Sequence, residues 1–453
     1  MEDTKEIIRS IIDETVAELM SVIADDIGKM SLSNIVQTTQ AAVNKLGSRI
    51  ISQIVTIADE IYNAKRDKHK ITLRHVKTRR MASAMGEIEL TRRLYYDKSE
   101  GKYFFAVDEL LDIEKYSRIE GEFKAQLINN ATLTSYGKAS KIAKDKVSRQ
   151  TVCNLVKRIQ EQDLIVKSEK LKKADKLFIE ADEDHIHLNN GNPAEVKLVY
   201  VHEGWRKVNN GRIELINPKY FAAVRGGTDI WNTVADYVFE HYNISMHNIQ
   251  ISGDGANWIK TGLKAFPGAQ FNIDKFHVYK SVTDAAGGNR EFRKNILEFV
   301  KKYDREHIIE LYASTMKKAS GRAQHRYIAN SLAFLENNFA EIDLSSKYGC
   351  SAEGHVSHVL SARMSSRPMA WSVRGADKMA RLRAFYFNGG NFSDLICRFQ
   401  PIEEKKAAYN YIVKRTERQD GSIPSGHFIA ESGVLEEIKK ILRGKPEQSE
   451  IEF

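Results

Sequence analysis

The most constraining feature of the sequence is the segment from Gln250 to Lys280, in which strand-like runs end on acidic residues. A short apolar run leads to Asp254 in a glycine-flanked turn. An amphipathic stretch follows, and a second strand-like run leads to Asp274, with His277 close behind. In open α/β sheets, ligands and metals bind at the carboxyl ends of the strands. The segment therefore predicts a sheet edge that can hold a divalent cation.

The size and composition of the chain indicate a globular protein of several domains. Its 453 residues exceed an ordinary single domain, and 42% are hydrophobic. The formal net charge of +9 permits a polyanionic partner. The three cysteines are far apart in the sequence, which favours neither a disulfide framework nor a structural zinc site. The sequence has no signal-peptide pattern and no long apolar run, so we expect a cytoplasmic protein without a membrane span.

The N-terminal part combines helical periodicity with a dense basic stretch. Residues 1–65 show two helical runs, and 65–80 are rich in lysine and arginine. Arg79 and Arg80 in this stretch are candidate phosphate contacts. The alternative is a solvated charged face, which is the commoner use of such a run.

Two further segments are candidates for contact with DNA. Residues 86–107 have the pattern of a β-hairpin, with Arg92 and Arg93 on its first arm, and both a structural hairpin and a DNA-touching one remain open. Residues 122–162 are helical, with a short break before a serine-capped second helix, as in a helix-turn-helix or an ordinary helical hairpin. The candidate DNA-reading residues at its start are Ser148, Arg149, Gln150 and Asn154.

Beyond a polar linker near residue 170, the pattern changes to strands. The run that ends at Asp182 is apolar enough for a central strand, and Asp184 shares its alternating face. Antiparallel strands followed by strand–helix alternation match a ribonuclease-H-like topology. Residues 282–345 are helical and polar, which indicates an insertion before the helix that begins at Glu353.

Asp182, Asp254 and Glu353 each stand at the end of a predicted element. Two-metal phosphoryl transfer needs carboxylates from different elements, which together hold two hard cations. Oxygen ligands suit Mg²⁺ or Mn²⁺. Arg363 and Arg367 follow on the helix of Glu353, and either phosphate contact or salt bridging accounts for them.

The fold class is therefore α/β (α+β), with a ribonuclease-H-like catalytic domain after a mainly helical DNA-binding region. The expected segments are an N-terminal helical region with the basic stretch, a hairpin with the helix-turn-helix, the first part of the catalytic domain, the helical insertion, the end of the catalytic domain, and a C-terminal helical tail. Their limits are 1–80, 81–170, 171–281, 282–345, 346–400 and 401–453.

Several motifs carry a resemblance to a known family. They are GEIELTRRLYYDK, TSYGKA with VSRQTV, LFIEADED, ISGDGANWI, NIDKFHVYK and CSAEGHVSHVLSARMSSRPMAWS. In this order, from about residue 86 to 390, they resemble prokaryotic insertion-sequence DDE transposases of the ISLre family. The GDGA…FP…DxxH segment is also similar to mutator-like transposases.

The resemblance implies a metal-dependent DNA transposase. Asp182, Asp254 and Glu353 match the catalytic triad and would bind Mg²⁺, with Mn²⁺ possible as the alternative. Asp274 and His277 match a supporting Asp-x-x-His element. Relatives often have a small residue after the first Asp, where this chain has Asp-Glu-Asp, so Asp182 and Asp184 both stay candidates for the first ligand.

The implied partners are double-stranded DNA, at the terminal inverted repeats and at the target, and further copies of the chain in a dimer or larger homo-oligomer. The implied location is the cytoplasm of a prokaryote, in association with the nucleoid. Two alternatives stay open. One is a catalytically silent DNA-binding protein or repressor derived from a transposase, and the other is a ribonuclease-H-like nuclease without strand transfer.

Overall fold

The computed structural model of the protein describes residues 2–26, 30–144, 146–160, 164, 172–208, 211–224, 227–346 and 349–397. The described chain forms two compact units, one within Met1–Glu120 and the other within Gly121–Phe399. The division falls inside the segment predicted for 81–170, and the six predicted domain limits stay predictions. The predicted helical tail at 401–453 lies outside the described residues.

The first unit contains two long helices and a three-stranded antiparallel sheet of order β1-β2-β3. Its elements are α1 (Glu2–Asp26), α2 (Leu32–Lys65), β1 (Ile71–Ser83), β2 (Gly86–Asp97), β3 (Lys102–Phe105) and α3 (Ala106–Leu110). The hairpin predicted at 86–107 is the pair β2–β3. The sequence does not predict β1, because six consecutive exposed positions within it hide the alternation that marks a half-buried strand.

The second unit begins with three helices and continues into the strands of a larger sheet. Its elements before the turn of Asp254 are α4 (Gly121–Leu133), α5 (Tyr136–Ile142), α6 (Arg149–Arg158), β4 (Leu177–His187), β5 (Pro193–His202), β6 (Trp205–Lys207), β7 (Ile213–Leu215), β8 (Lys219–Ala223), α7 (Gly227–His241) and β9 (Ile249–Gly253).

Helices dominate the rest of this unit. The elements are α8 (Asn257–Lys260), α9 (Gly262–Ala265), β10 (Gln270–Ile273), α10 (Lys275–Ala286), α11 (Arg290–Lys301), α12 (Arg305–Lys318), α13 (Arg322–Asn337), α14 (Ala352–Val356), a π-helical turn (Ser357–Ser361), α15 (Ala362–Met364), α16 (Val373–Phe387) and α17 (Phe392–Cys397). Single 3-10 turns occur at Met246–Asn248 and Phe339–Glu341. The stretch predicted as one amphipathic helix after Asp254 is divided into α8 and α9.

The five-stranded sheet of the second unit has the order β10-β9-β4-β5-β8. Strands β4, β5 and β8 pair antiparallel, whereas β9 and β10 run parallel to β4 on its other side. This mixed sheet with helices confirms the α/β class. Its core joins buried strand residues such as Ile179 and Ile251 to Trp231 of α7. Pairing of β4 with β9 ends at Glu180, so β4 projects beyond the end of its neighbour.

None of the helices in the described part of the chain is long and apolar enough to cross a membrane.

Candidate metal centre at the carboxyl ends of the strands

Acidic residues from three neighbouring strands meet at one edge of the five-stranded sheet. Asp182 lies in the projecting part of β4, Asp254 directly follows β9, and Asp274 directly follows β10. Because Gly253 pairs with Ile273, the last two acids are side by side in register. The backbone N–H of Asp274 donates to the carbonyl oxygen of Gly253 at 2.8 Å, which fixes the two strand ends together.

Glycine is required where β9 ends against β4. A Cβ atom on Gly253 would lie 2.7 Å from the backbone oxygen of Ala181, closer than non-bonded atoms approach. Gly255 has φ +94°, a conformation that L side chains rarely adopt. The two glycines therefore let the turn that carries Asp254 pass close to the strand that carries Asp182.

The tightest group of ligand-type side chains contains Asp182, His277 and Glu353. One ligand atom from each residue lies within 4.8 Å of the others. The buried carboxylate comes from β4, the partly buried imidazole from the first turn of α10, and the exposed carboxylate from the first turn of α14. Carboxylate oxygens suit Mg²⁺ and Mn²⁺, and an imidazole nitrogen adds affinity for transition metals. This donor set fits a divalent cation.

Burial and neighbouring negative charge raise the pKa values of two carboxyl groups at this sheet edge. Burial, with further repulsion from Asp254 and Glu353, raises the pKa of Asp182 to about 6, although the N–H of Glu183 and the nearby His277 oppose the shift. Burial also raises the pKa of Asp274, against the opposing effects of the Phe276 N–H and His277. A cation at this edge would offset the repulsion between these carboxylates.

Asp254 has a different environment from the other two members of the predicted triad. Its Oδ1 atom accepts a hydrogen bond of 2.8 Å from the backbone N–H of Ala256, which shapes the turn after β9. Its negative charge contributes to the raised pKa of Asp182, after the larger effect of burial. Among the described residues, however, the third member of the compact group of ligand atoms is His277, whereas the sequence predicts Asp254 as the third ligand.

The geometry distinguishes the two candidates for the first acid. Asp182 belongs to the group with His277 and Glu353. Asp184 instead accepts a hydrogen bond of 3.0 Å from the hydroxyl of Ser365, at the far end of the helix that begins near Glu353. The position of Asp182 therefore favours it over Asp184 as the first ligand.

Arg363 is part of the protein interior, which corrects its predicted role as a DNA contact. It is 4% exposed and donates from Nε to the carbonyl oxygen of Ala131 at 3.0 Å, with Trp371 beneath its guanidinium. Burial lowers its pKa. A side chain in this position cannot reach a phosphate without unpacking the helix. Arg367, by contrast, is exposed after the helix end, and its DNA contact stays a prediction.

The candidate DNA-reading residues lie on an exposed helix start. Helices α5 and α6 are joined by a short turn, and the Ser148 side chain caps α6 by accepting from the N–H of Thr151 at 3.1 Å. Arg149, Gln150 and Asn154 are exposed, and the last two are hydrogen-bonded to each other. The arrangement has the form of a helix-turn-helix, and its contact with DNA stays a prediction.

The arginines of the first unit divide into buried and exposed ones. Arg92 is 3% exposed and pairs with Asp108, and Arg93 pairs with the buried Asp59 at 2.6 Å. These two ion pairs hold the hairpin to its neighbouring helices, so the structure corrects the prediction that Arg92 touches DNA. A phosphate contact by Arg93 would compete with its ion pair.

The other two arginines of this unit lie on β1. Arg79 is mostly buried beside Asp108 and donates to the carbonyl oxygen of Glu114 at 3.3 Å. Arg80 is exposed and pairs with Glu89 at 3.1 Å. Of the four arginines predicted to bind DNA in the first unit, Arg80 is therefore the one best placed to reach a phosphate.

Sequence reasoning missed the buried partners that hold the site together. Glu180 shares a face of β4 with Asp182 but was not assigned a role. Its carboxylate contacts Tyr200 and His202 on β5 and Ser351 just before α14. The alternation along β4 places Glu180 on the same face as Asp182. The sequence alone does not show that β5 lies opposite Glu180, because that pairing forms only in the folded sheet.

Comparison with known proteins places the chain in a family. A model of the uncharacterised protein family UPF0236 matches residues 26–397. The chain belongs to the UPF0236 family. A UPF0236 protein of Caldanaerobacter subterraneus subsp. tengcongensis is 35% identical over 387 residues, which cover 83% of each chain, and its name joins eleven locus designations. A second protein of that organism is 35% identical over 387 residues, covering 83% of this chain and 78% of its own.

A more distant UPF0236 protein, from Streptococcus gallolyticus, is named for its position in the vanSb 3′ region. It is 23% identical over 336 residues, which cover 69% of this chain and 74% of its own. The matched part of the chain begins at the end of α1, extends through the rest of the described residues, and includes Asp182, His277 and Glu353.

Proposed function

We propose that this UPF0236 protein is a DDE-type DNA transposase that cleaves and joins DNA at the ends of its own insertion sequence. The observation that carries the proposal is the group formed by Asp182, His277 and Glu353, with Asp254 beside it, at the carboxyl edge of the sheet. Carboxylates from separate elements that meet at one point are the arrangement that metal-dependent phosphoryl transfer requires.

The order of the sheet supports a ribonuclease-H-like fold for the proposed catalytic domain. Three antiparallel strands, β8, β5 and β4, are followed by two strands parallel to β4. Helices α10–α13 intervene between β10 and the helix of Glu353, as in the predicted insertion. Both features agree with the motifs that resemble DDE transposases.

A relative also supports a mobile element. The name of one Caldanaerobacter protein joins eleven locus designations of one organism. A gene present at many loci is expected of DNA that copies or moves itself. The gene of a repressor or a housekeeping nuclease is not expected at so many loci.

The proposed reaction is two displacements at phosphorus. Water attacks the phosphodiester at the element's end, the bond to the 3′ oxygen breaks, and the freed 3′-hydroxyl then attacks target DNA. A bound divalent cation would activate the attacking oxygen and stabilise the leaving oxygen. Asp182 and Glu353 would hold it through oxygen and His277 through nitrogen, while Asp254 would add the remaining carboxylate. Exposed Arg149 and Gln150 on α6 would bind the inverted repeats.

A strand-transfer assay tests the proposal. A labelled duplex with a precleaved inverted-repeat end is incubated with supercoiled plasmid, protein and Mg²⁺ or Mn²⁺. A transposase joins the label to the plasmid. A nuclease without strand transfer nicks an uncleaved duplex but gives no joined product, and a silent DNA-binding protein shifts the duplex without cutting it.

A further inference from the structure

Glu180 is a buried carboxylate whose hydrogen bonds join the strand of Asp182 to the helix of Glu353. It is 1% exposed. Its Oε2 atom accepts hydrogen bonds from the backbone N–H of Ser351 at 2.7 Å and from the hydroxyl of Ser351 at 3.0 Å. The two residues lie 171 positions apart in the sequence.

The same carboxylate is held from the other side by β5. The hydroxyl of Tyr200 donates to Glu180 and also lies 2.9 Å from the hydroxyl of Ser351. The ring Nε2 of His202 lies 3.2 Å from Oε1 of Glu180. Each carboxylate oxygen therefore has a defined partner, and a fully bonded buried group has one preferred orientation.

Ser351 directly precedes α14, and its side chain does not cap the helix. The first turn of a helix is stabilised when a residue before it is fixed by hydrogen bonds. Here Glu180 supplies that restraint from a neighbouring strand. The start of α14 carries the exposed Glu353, and the hydrogen bonds of Ser351 to Glu180 restrain the chain directly before this turn.

We propose that Glu180 is a positioning residue that sets the distance between Glu353 and Asp182. Glu180 and Asp182 lie two residues apart on one face of β4. The strand therefore fixes the position of the Glu180 carboxylate, which binds Ser351, relative to that of Asp182. The consequence for cation binding rests on the proposed function. The ordering of α14 by Glu180 does not.

Two substitutions test this role. Glu180→Gln keeps the volume but replaces one acceptor oxygen with an amide donor. Either the Tyr200 and Ser351 donors at Oε2 or the His202 nitrogen at Oε1 then loses its acceptor. Ser351→Ala removes one of the two contacts with Glu180 at the edge of the core and is the variant more certain to fold. The matched controls are Asp377→Asn, since Asp377 also accepts a backbone N–H at 2.9 Å, and Ser331→Ala, which removes a buried hydrogen bond between Ser331 and Tyr312.

Each variant is compared with the wild-type chain in three measurements: urea unfolding, hydrogen–deuterium exchange of the peptide that covers residues 350–361, and Mn²⁺ affinity by calorimetry. We expect Glu180→Gln to speed exchange at the start of α14 about tenfold and to weaken Mn²⁺ binding about tenfold. Ser351→Ala should give about a threefold change in each. The controls should alter neither beyond their effect on global stability.

The positioning role would be overturned if the hydrogen exchange of α14 and the Mn²⁺ affinity of Glu180→Gln equal the wild-type values. It would also be overturned if both change only as much as the loss of urea stability accounts for, as in the controls. If the wild-type chain binds no Mn²⁺, the proposed metal site fails. The exchange of α14 then still decides whether Glu180 orders the helix.

Discussion

At the scale of single residues, the site depends on how each acid is surrounded. Asp182 is buried and close to other acids, so its proton is held more strongly than that of an ordinary aspartate. One carboxylate oxygen of Asp254 already accepts a hydrogen bond from the backbone N–H of Ala256. The sequence predicts that Asp254 and Asp274 follow strands, because apolar runs stop at them, but it wrongly ends the strand of Asp182 at that residue, since β4 continues to His187. It does not predict these environments, which depend on chain segments distant in sequence.

The pKa of Asp182 predicts how cation affinity depends on pH. A ligand must lose its proton before it binds a metal ion, so protons compete with the cation below the pKa of about 6. We expect the apparent dissociation constant for Mn²⁺ to rise roughly tenfold for each pH unit below 6 and to level off above pH 7. Calorimetric titrations from pH 5 to 8 measure this. An affinity that stays flat across that range would contradict a role for Asp182 as a ligand.

His277 predicts which cations the site prefers. An imidazole ligand favours transition metals over Mg²⁺, which prefers oxygen. His277→Ala should therefore weaken Co²⁺ binding about tenfold or more and Mg²⁺ binding much less, with a change in the visible absorption of bound Co²⁺. His325→Ala, at an exposed histidine of α13, is the control. Equal losses for the two ions would place His277 outside the ligand set.

At the scale of elements, buried arginines hold the helix of Glu353 in place. Nε of Arg383 on α16 donates to the carbonyl oxygen of Val359, and Nη2 donates to that of His358, both at 2.6 Å. Both acceptors lie in the π-helical turn, whose wider winding leaves carbonyl groups without regular helical partners. Nη1 of Arg383 donates to the carbonyl oxygen of Thr132, near the end of α4, at 3.2 Å. Burial lowers the pKa of Arg383 to about 10.

Removal of Arg383 should be costly. In Arg383→Met, three carbonyl oxygens lose their donor, two of them in buried hydrogen bonds, and the expected loss is about 3 kcal/mol of unfolding free energy. Arg374→Met, at an exposed position of the same helix, should change stability by less than about 0.5 kcal/mol. Urea unfolding of both variants compares them. A loss in Arg383→Met as small as that of the control would mean that these hydrogen bonds contribute little.

Element prediction from the sequence succeeded where periodicity is strong and failed where burial breaks the pattern. Helices α2 and α7 and the apolar first half of β4, which leads to Asp182, follow their apolar periods, although β4 continues to His187. Strand β1 does not, because most of its side chains are exposed. Arg92 and Arg363 look like surface cations in the sequence, and their burial follows from ion pairs and carbonyl contacts with distant segments.

At the scale of the whole molecule, the basic charge and the exposed start of α6 bear on DNA binding. Under the proposed function, the net charge of +9 would supply a salt-dependent attraction to DNA that does not depend on base sequence. Base reading requires side chains such as Arg149, Gln150 and Asn154, which are exposed at one helix start. Helices α5 and α6 lie in the same compact unit as Asp182, His277 and Glu353.

A pair of substitutions distinguishes recognition of the repeat's base sequence from sequence-independent attraction to DNA phosphates. Combined Arg149→Ala and Gln150→Ala should weaken binding to an inverted-repeat duplex by about 1–3 kcal/mol and leave Mn²⁺ affinity unchanged. Arg322→Ala, at an exposed position of α13, should have little effect on the preference for the repeat over an unrelated duplex. Fluorescence anisotropy with both duplexes measures the preference. An unchanged preference in the double variant would remove α6 from the reading surface.

The most direct measurement is cleavage of a labelled duplex that carries the inverted-repeat boundary, with Mg²⁺ or Mn²⁺, with EDTA, and with Asp182→Asn. Asp284→Asn, at an exposed position of α10, is the matched control. We predict nicking at the boundary that needs the metal, persists in Asp284→Asn and is lost in Asp182→Asn, while duplex binding is kept. Duplex binding without nicking in either metal, or nicking that survives in EDTA and in Asp182→Asn, would contradict the proposed function.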